Sequence, residues 1–173
     1  MKTKNLRSNE KKIEFLASFA KGIPLIKVDP KLLAMVIQNL LSNALNYTSE
    51  KGRVSLTLAL AKAGAQIGKE KADKNCLVII VSDTGFGIPQ EQQDKIFSKL
   101  FRADNVREKD TEGTGLGLYI VKSIIEHSSG KVWFESPSSA QAVAGQEKNP
   151  GTTFYVTLPL TGMKKKAAIK GPE

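Results

Sequence analysis

The sequence is short of the residues that build metal centres and covalent staples. It holds one cysteine, Cys76, and one histidine, His127, so neither an internal disulfide nor a Cys/His zinc set can be assembled within it. A reducing, cytoplasmic setting is expected. No apolar run approaches the roughly 20 residues that span a bilayer, and the start Met1-Lys2-Thr3-Lys4-Asn5 leads into no signal-type apolar stretch. Direct membrane insertion is not expected of the chain, although a parent protein could still be anchored. Aromatic residues are scarce at 6%, and none interleaves with the lysine clusters of Lys62 to Lys74 and Lys164-Lys165-Lys166 as a base-stacking surface would require. The formal charge of +9 would suit an anionic partner, whether a nucleotide, an acidic protein or a nucleic acid, but the excess is diffuse and reads as solvated loops and tail ahead of a nucleic-acid patch.

What is present is one domain's worth of core: 173 residues, 40% hydrophobic and 25% charged, too few for two independent cores and too apolar for disorder. The polar segment 1–12 reads as a flexible lead-in, 13–162 as the domain, and 163–173 as a basic disordered tail. Ile13 to Phe19 and Pro24 to Val28 are short apolar segments expected to pair as a hairpin. Asp29-Pro30 is a helix start, and Leu32, Leu33, Val36, Ile37, Leu40, Leu41 and Ala44 recur at helical spacing, which predicts a helix from Pro30 to about Tyr47. Val54 to Leu60 and Leu77 to Ser82 read as strands joined by a floppy hairpin loop, Ala61 to Asn75. Pro89 to Phe97 and Leu116 to Glu126 read as helices, and Val132 to Glu135 and Thr153 to Leu158 as strands around a Ser/Ala/Gly/Gln-rich loop. Strand runs with helices between them, lacking regular β-α alternation, predict an α+β two-layer sandwich: a mixed, mostly antiparallel sheet with helices on one face.

Three short segments carry chemistry. Asn39, Asn43 and Asn46 fall at spacings of four and three, which lines their amides along one side of the helix. Asparagine is a mediocre helix former; three in line are either a polar solvent face or oxygens for a hard cation such as Mg²⁺. Asp83-Thr84-Gly85-Phe86-Gly87 follows an apolar strand. An ionised carboxylate there accepts from the amine of adenine and repels the carbonyl of guanine, whereas the plain alternative is a tight turn. Glu112-Gly113-Thr114-Gly115-Leu116-Gly117-Leu118 opens a helix, where freed backbone amides suit phosphate. It lacks a P-loop lysine and a β-α-β setting.

In this order the segments resemble the ATP-binding catalytic domain of sensor histidine kinases, within the superfamily that includes gyrase and MutL-type ATPases. The resemblance spans roughly Pro24 to Pro159. Asn39 to Tyr47 is similar to the N box, Asp83 to Gly87 to the first glycine box, Ile96-Phe97-Ser98-Lys99-Leu100-Phe101-Arg102 to the phenylalanine box, Gly113 to Leu118 to the second glycine box, and Gly151-Thr152-Thr153-Phe154 to the terminal strand. It implies a Bergerat-type fold with ATP and Mg²⁺ as cofactors. Asn43 and Asn39 would hold the metal, and Arg102 would supply charge to the transferring phosphoryl group. Asn46, Tyr47, Asp83, Gly85, Gly87, Ile88, Gly113, Thr114, Gly115, Leu116, Gly117, Leu118 and Thr152 would line the nucleotide, with Ser98 to Glu112 as a lid.

Two departures refine the expectation. Where the ATPases of this superfamily carry a glutamate base, four residues before the metal-binding asparagine, the chain has Asn39, which cannot take a proton from water. A kinase is therefore favoured, its acceptor histidine lying on a separate dimerisation domain and a response regulator further downstream. His127 reads as a helix-end residue rather than the acceptor. Where the family usually has lysine before the aromatic residue, the chain has Asn46, which loses a cation near the phosphates. The other reading is a nucleotide-binding or interaction module with weak or no catalysis.

Overall fold

A computed structural model of the chain describes residues 12–101, 114–137 and 150–162. The lead-in up to residue 11, the tail 163–173, Arg102 and Gly113 lie outside the described residues. Helix α1 runs Pro30–Tyr47. Asp29 starts it, its Oδ1 accepting from the amides of Lys31 at 2.9 Å and Leu32 at 3.3 Å, with Pro30 in the position where a missing N–H costs nothing. Val36, Leu40 and Ala44 are fully buried along one stripe. Burying side chains such as Val36 and Leu40 contributes about 1.5–3 kcal/mol each, which outweighs the several tenths that each asparagine costs in helix propensity. Packing, not propensity, holds this helix.

The sheet has the strand order β1-β2-β5-β7-β6, from β1 (Glu14–Phe19), β2 (Arg53–Ala61), β5 (Cys76–Asp83), β6 (Lys131–Glu135) and β7 (Thr152–Pro159). All neighbours are antiparallel except β1 and β2. Alternation along β5 sorts its side chains between two clusters. Leu77, Ile79 and Val81 join α1 and helix α2 (Gly117–His127) in the main core, together with Phe154, Val156 and Leu158 of β7. Cys76, Val78 and Ile80 join a second cluster on the opposite face. The expected sandwich of mixed sheet and one helical layer is the observed fold. Among the described residues no helix is long and apolar enough to cross a membrane.

Three local expectations need correction. Ile13 to Phe19 does not pair with Pro24 to Val28, which forms no strand. Instead β1 lies parallel to β2, with α1 as the crossover connection that a parallel pair requires. The segment Ala61 to Asn75 is not floppy. It folds a small hairpin of β3 (Gln66–Ile67) and β4 (Glu70–Lys71) that buries Ile67 and Ala72 against Cys76, Val78, Trp133 and Tyr155 on the helix-free face. Pro89 to Phe97 is not an α-helix. It is one 3₁₀ turn, Gln90–Gln92, continued by three-residue turns such as Lys95 N to Gln92 O and Ser98 N to Lys95 O. The segment is held from its side, because the Gln93 amide donates to Ile88 O at 3.0 Å and to Ser136 O at 2.9 Å.

Candidate nucleotide site

The C-terminal end of α1 and the end of β5 meet. Thr48 closes the helix: its hydroxyl donates to Ala44 O at 2.6 Å and its amide to the same oxygen at 3.1 Å. The Tyr47 carbonyl is left over, as helix-end carbonyls are, and takes the Phe86 amide at 3.3 Å. That bond seats the turn after β5 on the helix end. Gly85 is the residue that permits it, since a Cβ there would collide with the Tyr47 carbonyl oxygen.

Asp83, the last residue of β5, is held by two backbone donors on one oxygen. Oδ1 accepts from Gly85 N at 2.8 Å and from Thr152 N at 3.2 Å. Burial lifts its pKa from 3.8 to about 6, against the lowering effect of those two bonds; removing water from a carboxylate costs more here than two amides return. The adjoining strand is stitched to the same turn, with Gly151 N donating to Gly85 O at 2.9 Å. Ile88 N donates to Ser136 Oγ at 2.8 Å, and Gly87 bends the chain just before it at a φ of 69°. Tyr47, Asp83, Gly85, Gly87, Ile88 and Thr152 thus fall in one connected neighbourhood. Thr152 enters through its amide; its buried hydroxyl lies 3.2 Å from Ser136 Oγ.

A second group forms where α1 passes the start of α2. The Asn39 amide donates to Met35 O at 2.8 Å, and its Oδ1 would stand 2.7 Å from a Cβ on Gly117. Glycine at the head of α2 is what lets the Asn39 side chain occupy that space. Gly115 lies against the backbone of Leu100 and Phe101. Leu116 accepts from Ile120 N as α2 begins, Leu118 packs on the core, and Thr114 is exposed. Asn43 is half-buried and Asn46 exposed on α1. His127 is the exposed last residue of α2. Sequence reasoning missed Ser136 and Gln93. Ser136 stood at the head of a low-complexity loop with nothing to single it out, and only its tertiary contacts do so.

Comparison with known proteins accounts for this arrangement. Residues 28–162 match the family profile described as histidine kinase-, DNA gyrase B- and HSP90-like ATPase. The chain is 34% identical over 146 residues to the sensor protein kinase WalK of Staphylococcus haemolyticus, covering 82% of the chain and 21% of the relative. It is 34% identical over 151 residues to the adaptive-response sensory kinase SasA of Crocosphaera subtropica, covering 87% and 34%. The chain thus spans between a fifth and a third of the length of these relatives. Among solved structures it resembles the mycobacterial sensor histidine kinase MprB, at 27% identity and a TM-score of 0.63 over 88% of the chain and 83% of that one. Full-length ShkA in complex with AMPPNP superposes with a TM-score of 0.62 at 27% identity, over 88% of the chain and 27% of that one. With the profile matched across most of its length and every one of these relatives a sensory or histidine kinase, the chain belongs to the histidine kinase-, gyrase- and HSP90-like ATPase family, as an ATP-binding catalytic domain of the sensor histidine kinase type.

Proposed function

We propose that the chain binds Mg-ATP between α1 and the two glycine-rich turns and donates the γ-phosphoryl group to a histidine on a separate helical domain. The observation that carries this reading is the Asp83 seat. Oδ1 is occupied by two amides, which fixes the carboxylate and leaves Oδ2 as the acceptor for an incoming N–H donor; the exocyclic amine of adenine is such a donor. Tyr47 borders the base, with Gly85, Gly87, Ile88 and Asn46 near it. Asn39 stands eight residues before Tyr47, about 12 Å along the helix, so one extended nucleoside triphosphate laid along α1 reaches from Asp83 to the head of α2. There Thr114, Gly115, Leu116, Gly117 and Leu118 would offer amides to phosphate oxygens, with Gly113 assigned the same role by the family resemblance alone.

Asn43 and Asn39 would hold Mg²⁺. The fit rests on donor chemistry and placement, because the Asn39 amide nitrogen is turned to Met35 O while its oxygen faces Gly117, the side where phosphates would complete the ion's oxygen shell. When bound, the ion neutralises charge on the phosphate chain. In the transfer, a ring nitrogen of the acceptor histidine bonds to phosphorus as the bond to the β-phosphate oxygen breaks and ADP leaves. Arg102 would meet the charge that develops. Asn39 supplies no base for water, which favours transfer over hydrolysis.

Isothermal titration with ATP and Mg²⁺ tests the site. Asp83→Asn should weaken binding about tenfold or more, since its amide can present donors to a donor and breaks a charge-assisted bond. Unchanged affinity would move the nucleotide elsewhere.

A further inference from the structure

Ser136 joins three segments of the chain, around Ile88, Gln93 and Gly151. It follows β6 and is only 9% exposed, yet every capacity of its hydroxyl is used. Oγ accepts from Ile88 N at 2.8 Å, donates to Gly151 O at 3.0 Å, and lies 3.2 Å from Thr152 Oγ1. Its own carbonyl is held by the Gln93 amide, which also grips Ile88 O. One small side chain therefore ties the end of the turn after Asp83 to the residue pair Gly151-Thr152. Thr152 is in turn the residue whose amide reaches Asp83 Oδ1.

We infer that Ser136, steadied by Gln93, is a positioning residue for the Asp83 carboxylate, acting through Gly151-Thr152 to hold the second amide donor in place. It touches neither base nor phosphate in this account. The inference rests on the reading of Asp83 as the adenine acceptor. Losing the hydroxyl leaves the Gly151 carbonyl and the Ile88 amide without their partner in a buried place, and the cheapest relief is movement of the Gly151-Thr152 segment away from Asp83. The carboxylate then keeps one amide instead of two, and its ionised form is less well supported. Burial raises the pKa of Asp83, and these two amides lower it. A change in its titration thus reports the amides.

The test is adenosine binding measured by calorimetry from pH 5 to pH 8, a probe without phosphates to titrate. For the parent chain, affinity should rise with pH through about 6 and then level. Ser136→Ala should weaken binding about fivefold at neutral pH and move the midpoint upward, and Gln93→Met should do the same to a smaller degree. Gln93→Met carries the test alone if Ser136→Ala does not fold. A midpoint that stays in place in the folded variants, whether affinity is unchanged or uniformly reduced, overturns the positioning role. If Asp83→Asn binds adenosine as the parent does, the reading of Asp83 itself fails instead, and the two failures are told apart by that one control.

Discussion

Asp83 is costly to the fold as well as central to the proposed adenine seat. It holds its proton up to about pH 6 in the folded chain, against 3.8 as the ordinary value. The stability associated with that proton is complete below pH 3.8, drains away as pH rises toward 6, and is constant above. At roughly 1.4 kcal/mol per unit, the loss is about 3 kcal/mol at most. Asparagine in its place avoids the loss, and its side-chain oxygen can still accept from Gly85 and Thr152. Asp83→Asn should therefore gain stability over the parent between pH 4 and pH 7 in urea titrations while losing adenine binding. A constant difference across that range would mean the carboxylate is ionised throughout. At the other end of the same site, Asn46→Lys should tighten Mg-ATP binding by about 1–3 kcal/mol at most, by adding a charge-assisted contact to phosphate. Calorimetry would show weaker or equal affinity if that side chain points elsewhere. At the residue scale the sequence made Asp83 and the asparagines conspicuous because aspartate before glycines and amides at helical spacing are chemical patterns. Ser136 and Gln93 had no such pattern, since apart from Ile88, five residues before Gln93, their partners lie 15 to 48 residues away.

Among the elements, legibility followed the range of the contacts. The bounds of α1 were readable because Asp29, Pro30 and the apolar stripe are all local signals, β5 because a continuous apolar run marks a strand covered on both faces, and β7 because Phe154, Val156 and Leu158 alternate along it. The parallel partner of β1 was not readable, since Glu14 pairs with Arg53 across an intervening helix. The β3-β4 hairpin was hidden by its composition: Ile67 and Ala72 are its buried apolar residues, amid lysines and glycines. Its attachment is nonetheless specific, with Ile67 6% exposed against the second cluster. Ile67→Ala should cost about 2–4 kcal/mol by the usual penalty for a buried cavity. It should also open a path to Cys76, a buried thiol whose pKa is raised first by burial and then by Asp73. The rate of Cys76 labelling by a thiol reagent at fixed pH is the readout, and a rate equal to the parent's would show that the hairpin does not guard it.

As a whole, the chain is proposed to donate phosphoryl groups to an acceptor histidine other than its own His127. His127 ends α2, exposed at a helix terminus, and Asn39 lacks the basicity to activate water. The isolated chain should bind Mg-ATP and neither label itself nor hydrolyse ATP at a useful rate. Supplied with a histidine-bearing helical hairpin of the sensor histidine kinase type, it should place acid-labile phosphate on that hairpin, and Asn43→Ala should abolish the transfer. Radiolabelled ATP and a gel decide among the outcomes. Label on the isolated chain that disappears with His127→Ala would reassign the acceptor, and brisk phosphate release without the hairpin would class the protein with the ATPases.

The single tryptophan of the chain, Trp133, belongs to the second cluster, stacked on Tyr155 with ring centroids 5.3 Å apart. Its neighbour Phe134 packs with the main core, so consecutive residues of β6 look to opposite sides of the sheet. The chain therefore carries a built-in fluorophore on the face away from α1 and α2. Tryptophan emission should follow unfolding and detachment of the β3-β4 hairpin directly. During a nucleotide titration, a base bound at the proposed site would lie across the sheet from the indole, so a change in that emission would have to be carried through the strands.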